Sequence, residues 1–309
     1  MSRSPGATVG GQAVLEGVMM RAPNAWAVAV RRPDGEIETI SNQLPKLSSR
    51  SRWARLPFFR GIMVLGESLT LGFRALSWSA QKAGEEEDEE LTKGQIAWAM
   101  AIALVFFAAV FMAFPVFVTR LLERFIGEGA LVFNVVDGAL RLALFVGYVW
   151  VIGFSSDIRR VFQYHGAEHK TIHAYEAGDP LVVDEIQKYS PKHPRCGTSF
   201  LMIVFLVAIV VFTLLGKPSF FWLVAERILL IPVIAGVSYE VLKAAAGTRW
   251  MAWASLPGMW LQAITTKEPD GDMVEIAVAS LLSALTPDEV AEVQSRGDIC
   301  PAAYAAVFK

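Results

Sequence analysis

Cysteine and histidine are scarce in this chain: Cys196 and Cys300 are the only cysteines, and four histidines stand among 309 residues of which 19% are charged. Two cysteines without framework spacing exclude a disulfide scaffold and fit a reduced compartment for Cys196. A formal net charge of −2 leaves no electrostatic footprint of a nucleic-acid binder, and neither a Walker loop nor a dinucleotide fingerprint is present. The first residues are polar and glycine-rich, with no apolar core ahead of a cleavage site, so the first apolar span is expected to direct insertion itself. No internal repeat is visible.

What the chain has in excess is apolar surface: 54% hydrophobic residues and a mean hydropathy of +0.42, concentrated in blocks. That is too apolar for an ordinary soluble domain of this length. Four segments, Ile96–Thr119, about 139–154 (with a start as early as Leu131), Ser199–Leu215 and about 221–241, each approach the length that crosses roughly 30 Å of hydrocarbon. The expected fold is mainly α: a polytopic membrane protein with about four transmembrane helices, an N-terminal cytoplasmic β-hairpin element and amphipathic helices at the membrane surface. Asp137 and Arg141 are expected to pair at i, i+4 at the outer end of the second span, with Glu226 and Arg227 at the outer mouth of the fourth. Arg159, Arg160, Lys170, Lys188, Lys192 and Arg195 lie between spans two and three, whereas Lys217 stands alone between three and four. The positive-inside rule therefore puts that loop and both termini in the cytoplasm, with the chain multi-pass in the cytoplasmic membrane.

Four regions follow. Residues 1–56 form the N-terminal region. Within it Gly10–Arg21 is neither helix-periodic nor cleanly alternating, its glycines suggest tight turns or close approach, and Glu16 is its one acid. Trp26–Arg32 and Glu36–Ser41 read as strands joined by Pro33-Asp34-Gly35. Lys46–Arg60 mixes basic and aromatic residues as a headgroup-facing segment does. Residues 57–95 hold an amphipathic helix, Pro57–Ala83, with a stripe of Ile62, Leu65, Leu69, Phe73 and Leu76, then a solvated acidic linker at Glu85–Glu90. Residues 96–256 are the four-helix membrane domain, including a cytoplasmic loop, 155–198. Residues 257–309 are a C-terminal cytoplasmic segment, with a short amphipathic helix at Glu275–Leu285, a helix start at Thr286-Pro287-Asp288-Glu289 and an appended tail.

The chemistry concentrates in the loop. If Tyr164–His173 is helical, His165, His169 and His173 share a face with Glu168 beside them. His165-x-x-Glu168-His169 matches the inverted zinc-protease motif in letters; two imidazoles a turn apart chelate a divalent ion, and the carboxylate polarises a bound water as general base. The ligand geometry is taken from that match, not the activity. The third ligand is left open among His173, His193 and Cys196, and a thiolate favours zinc over magnesium or calcium. Glu16 and Glu240 are further acids able to reach the same layer. Against a metal stands a plainer account in which the histidines face solvent or lipid phosphate and Cys196 is a small buried hydrophobe. A Cys196–His193 nucleophile pair is disfavoured, because an i, i+3 spacing through proline does not by itself put a base on a thiol.

The chain resembles the YqhQ family of bacterial membrane proteins. The resemblance rests on Gly11-Gln12-Ala13-Val14-Leu15-Glu16-Gly17-Val18-Met19-Met20-Arg21, Tyr164–Thr171, His193-Pro194-Arg195-Cys196-Gly197-Thr198-Ser199-Phe200, Ser238-Tyr239-Glu240, and Pro257-Gly258 with Leu261-Gln262 and Thr265–Pro269. It implies a multi-spanning protein, described as a predicted metal-dependent enzyme, with its distinctive polar residues at one membrane face; the part after about Thr286 lies outside it. The leading expectation is a zinc-dependent membrane hydrolase acting on a membrane-associated substrate, with His165 and His169 as ligands, Cys196 or His193 completing the site and Glu168 as general base, with the lipid bilayer as its surroundings and no nucleic acid as partner. The competing class is a non-enzymatic scaffold or assembly factor whose polar loop binds a protein partner. A small transporter is disfavoured by the scarcity of polar residues inside the spans.

Overall fold

The computed structural model describes residues 9–44, 56–84, 93–127, 129–217, 219–245 and 249–308. The acidic run at Glu85–Glu90 and most of the basic, aromatic stretch Lys46–Arg60 lie outside the described residues.

Strands β1 (Gly10–Val14), β2 (Gly17–Arg21), β3 (Ala25–Arg31) and β4 (Ile37–Gln43) form an antiparallel meander in sequence order. The Asp-Gly hairpin between β3 and β4 is where the sequence puts it. The β element is larger than one hairpin, however: Gly10–Arg21, read as irregular, pairs Gly10 with Arg21 and Val14 with Gly17 around a two-residue turn. Glu16 takes that turn's left-handed position at φ 49°, where glycine or asparagine is the usual signal, so the hairpin carries no recognisable turn residue. Gly17 is required for close packing, since a Cβ there would sit 2.7 Å from Val30 Cγ1.

Helix α1 (Phe59–Ala83) is the expected amphipathic helix. Gly61, Glu67, Leu71, Ala75 and Ser79 are buried, with Leu71 and Ala75 against the sheet, whereas Leu69, Phe73 and Leu76 of the apolar stripe are exposed. The small residues let the sheet approach closely, which leaves the bulkier stripe to face outward.

The apolar bundle begins with α2 (Lys93–Phe107), a π turn at Ala108–Ala113 and α3 (Phe114–Ile126), followed by α4 (Ala130–Ile152). Among the described residues, two helices, Ala101–Ile126 and Ala130–Ile152, are long and apolar enough to cross a membrane. The pair α8 (Phe220–Leu229) and α9 (Ile231–Ala245), bent by 49°, makes a third if it counts as one span. Helix α7 (Gly197–Leu215) is apolar but its hydrophobic part, Phe200–Leu215, is shorter than a standard span. Asp137 and Arg141 do pair at i, i+4, within a buried cluster that also takes in Arg227. Arg141 Nε and Nη2 donate to Asp137 at 3.0 and 3.2 Å, Arg227 Nε donates to the same carboxylate at 3.2 Å, and Arg227 Nη2 donates to Asn134 at 2.6 Å.

Helix α5 (Ser156–Ala177) carries the histidines. After a one-turn helix, α6 (Val183–Ile186), and α7 to α9 comes α10 (Arg249–Thr265), which runs through Pro257. Helix α11 (Gly271–Ala284) replaces the amphipathic helix expected at Glu275–Leu285. It is buried on nearly every side between the sheet and α5, because Met273, Val274, Ile276, Ala277, Val278, Leu281 and Leu282 leave no polar stripe. Helix α12 (Pro287–Arg296) starts at the expected cap, with Thr286 and Glu289 forming a reciprocal capping box. The tail is not appended: Val290, Val293, Cys300 and Ala303, the last in α13 (Pro301–Val307), belong to the same core as Tyr164 and Tyr175 of α5, and Leu181 bridges to Ile299.

Candidate metal centre

Helical spacing sets the first two candidate ligands. His165 and His169 lie one turn apart on α5, with ring centroids 4.4 Å apart. Their outward nitrogens are fixed by main-chain carbonyls: His165 Nδ1 is 2.9 Å from the Thr265 oxygen and His169 Nδ1 is 2.6 Å from the Pro191 oxygen. Because a carbonyl only accepts, each Nδ1 carries the proton and each Nε2 keeps its lone pair. His165 Nε2 points at Cys196 Sγ across 3.3 Å. One donor atom from each of His165, His169 and Cys196 lies within 4.8 Å of the other two, the one such histidine, cysteine or carboxylate group of metal-binding dimensions among the described residues.

Cys196 reaches the helix because the loop after α5 folds back. Its last step is a turn in which the Cys196 N–H donates to the His193 carbonyl at 3.3 Å, with Pro194 at the position where its fixed φ suits a turn. Burial raises the Cys196 thiol above its ordinary pKa, while Thr198 and the main chain at the start of α7 pull it down.

The other histidines have other partners. His193 Nδ1 accepts from the Arg195 N–H at 3.2 Å, and its Nε2 faces Glu176 at 3.8 Å. Its ring is 5.7 Å from His169 but outside the three-donor group. His173 Nε2 donates to the Lys192 carbonyl at 3.0 Å and its ring stacks on Tyr189, with His193 4.5 Å away. Burial, reinforced by His173, holds His193 down to about 4, and burial with neighbouring His165 holds His169 down to about 2, so both rings are neutral at pH 7.

Glu168 is buried at 4% exposure beside these ligands, and its Oε2 has no hydrogen-bond partner. Burial pushes its carboxyl up to about 8; His165 and the Gly11 N–H oppose that shift and Cys196 adds to it. Gly11 comes from β1 and is needed there, because a Cβ would stand 3.1 Å from the Glu168 carboxyl. The remaining acids are held by arginines. Glu16 is gripped by Arg160 at 2.6 and 2.5 Å and accepts from the Tyr164 hydroxyl at 3.3 Å. Glu240 pairs with Arg60 and accepts the Phe58 N–H at 3.1 Å. Neither belongs to the three-donor group.

Sequence reasoning missed Gly11, Thr265 and Gln262 as parts of this site. Each stands in a motif block already singled out, but nothing in its residue type names the task. Gln262, fully buried, accepts the His193 N–H at 2.8 Å and donates to the His193 carbonyl at 2.9 Å and to Thr198 Oγ1 at 3.2 Å. Four of the five blocks thus meet at one place, while the fifth, Ser238-Tyr239-Glu240, ties α9 to the start of α1.

Residues 56–287 match the family described as protein of unknown function (DUF1385). The chain is 34% identical over 301 residues to the uncharacterized protein YqhQ of Bacillus subtilis (strain 168), covering 92% of this chain and 94% of that protein. No solved structure matches.

Proposed function

This chain belongs to the DUF1385 family, and on that footing we propose that it is a multi-spanning membrane metalloprotein with its metal centre at the cytoplasmic face, acting as a hydrolase on a membrane-associated substrate. The observation that carries the proposal is the meeting of His165, His169 and Cys196 donors within 4.8 Å, with both Nδ1 atoms anchored on carbonyls. Two imidazoles and a thiolate favour zinc, and three protein ligands leave a tetrahedral ion one position for water. A cation held there supplies Lewis acidity and an acidified water. Glu168 is the general base: it is buried beside the candidate ligands with one oxygen uncommitted, and a bound cation would bring down the carboxyl that burial alone raises to about 8, freeing it to accept a proton.

A membrane-associated substrate suits the apolar surface near the site. Leu256 and Trp260 are exposed on the helix whose last residue, Thr265, orients His165, and the exposed stripe of α1 offers a second surface suited to lipid. The proposed topology counts four spans, taking α8 and α9 as one and adding α7, whose 19 residues extend about 28 Å. The basic loop residues favour the orientation with both termini inside.

Metal analysis of the purified protein tests the first step. The wild type is expected to retain about one zinc per chain, and the double variant His165→Ala/His169→Ala to retain none. Equal, substoichiometric metal in both would remove the metal claim. If metal is retained and Glu168→Gln still leaves cellular function intact, the scaffold reading, in which the polar loop binds a protein partner, replaces the hydrolase.

A further inference from the structure

The donor triangle depends on a group that touches none of the three donors. We infer that Gln262 is the positioning residue of the metal centre: it presets the thiolate arm by holding the turn that carries Cys196 in its ligating position. This rests on the metal reading and adds a residue to it.

His165 and His169 are spaced by the helix that bears them, so their separation survives any local disturbance short of unfolding α5. Cys196 has no such support. It stands between a turn, His193–Cys196, and the first residue of α7, and its direction depends on how that turn is held. Gln262 grips the turn through three hydrogen bonds. Its carbonyl oxygen accepts the His193 N–H, and its amide nitrogen donates to the His193 carbonyl and to the Thr198 hydroxyl beyond the cysteine. Those contacts bracket Cys196 on both sides. The Thr198 hydroxyl, which Gln262 engages, also hydrogen-bonds the sulfur.

Gln262 also couples the two arms. It lies one helical turn before Thr265, whose carbonyl fixes the His165 ring, so the end of α10 sets both the imidazole and the thiol that meet across 3.3 Å. An amide that is fully buried and engaged at both its oxygen and its nitrogen is replaceable neither by an apolar side chain nor by a carboxylate without losing a bond.

Cobalt substitution reads the arm directly, because a cobalt–thiolate bond gives a near-ultraviolet charge-transfer band that imidazole ligands do not. Full-length protein in detergent, stripped of metal and titrated with cobalt, is expected to show the band in the wild type and to lack it in Cys196→Ser. Gln262→Met, close in volume but without the amide, is expected to lose most of the band and to bind cobalt about tenfold or more weakly. Thr198→Val should weaken the band, and Thr198→Ser should keep it. A purely structural role would lower the thermal midpoint of the metal-free protein while leaving the band per bound cobalt unchanged. If Gln262→Met does not fold, Gln262→Glu, which keeps the acceptor and loses the donors, and Thr198→Val carry the test. Band intensity and affinity within twofold of wild type in the variants that fold would overturn the role of Gln262. Absence of the band from the wild type itself would overturn the metal reading instead.

Discussion

The environment of Glu168 is set less by its own helix than by what packs against it. The letters His-x-x-Glu-His put a carboxylate beside two imidazoles, and the helix delivers that adjacency. Its burial and its one donor come from β1, far away in sequence, where Gly11 allows the strand to lie against the carboxyl. The consequence is a pH dependence with a definite sign. In the metal-free protein the folded pKa is raised from 4.5 to about 8, so the contribution to stability is fully present below about 4.5 and is lost as pH rises through about 8. His169 and His193, depressed to about 2 and about 4, act oppositely: below about 6.5 the unfolded chain takes up protons that the folded chain refuses. Comparing wild type with Glu168→Gln cancels the histidines. The variant's stability relative to wild type is expected to improve from pH 5 to pH 8 by on the order of 3 kcal/mol, read from denaturation midpoints in detergent after metal removal. A pH-independent difference would mean that Glu168 is ionised and satisfied in the folded protein.

At the scale of elements, the bundle is knit by one carboxylate serving two guanidinium groups. Arg141 lies midway along α4 and spends its other N–H groups on the Phe111 and Met112 carbonyls, at 2.5 and 3.1 Å, inside the π turn that interrupts the first span. A π turn shifts the backbone hydrogen-bond register, and the arginine supplies donors to its carbonyls. Arg227, near the bend between α8 and α9, is drawn to the same Asp137, so two irregular helices share an anchor. Asp137→Ala leaves both cations without their carboxylate and is expected to cost about 3 kcal/mol or more, seen as loss of a monodisperse peak after detergent extraction. Full stability in that variant would show that the arginines are satisfied elsewhere. The i, i+4 spacing made the Asp137–Arg141 pair legible in the sequence; Arg227 was not, because nothing local says which helices adjoin. Which side of α1 meets the sheet was not legible for a related reason: periodicity identifies an apolar stripe, while the small residues decide which side a neighbouring sheet can reach.

For the whole molecule, the C-terminal segment is the clearest case of structure overruling appearance. Residues after Thr286 look like an appendage in sequence, being short, polar helices past the last motif. In the fold Val290, Val293, Cys300 and Ala303 complete the core that supports the histidine helix, and Arg296 donates to the Tyr175 carbonyl at 2.8 Å. Deleting residues 287–309 is expected to destabilise the candidate metal centre with the rest, since the two valines alone are worth roughly 3–6 kcal/mol of burial. Size-exclusion profiles and metal content of the truncated protein check this; a well-folded truncated protein with full metal content would show the segment to be dispensable. What the sequence by itself determined is whatever depends on spacing along one element: the apolar helices, the β3–β4 hairpin, the Thr286 cap, and two histidines with an acid on one helical face. Only the tertiary structure decided that Cys196 and not His193 or His173 stands across from His165, and that one oxygen of Glu168 is left uncommitted while Glu16 and Glu240 are engaged by arginines. The physical reason is that donor and charge partners are chosen by through-space distance. Here the turn gripped by Gln262 and the close approach of β1 set that distance, and neither has a period that a sequence displays.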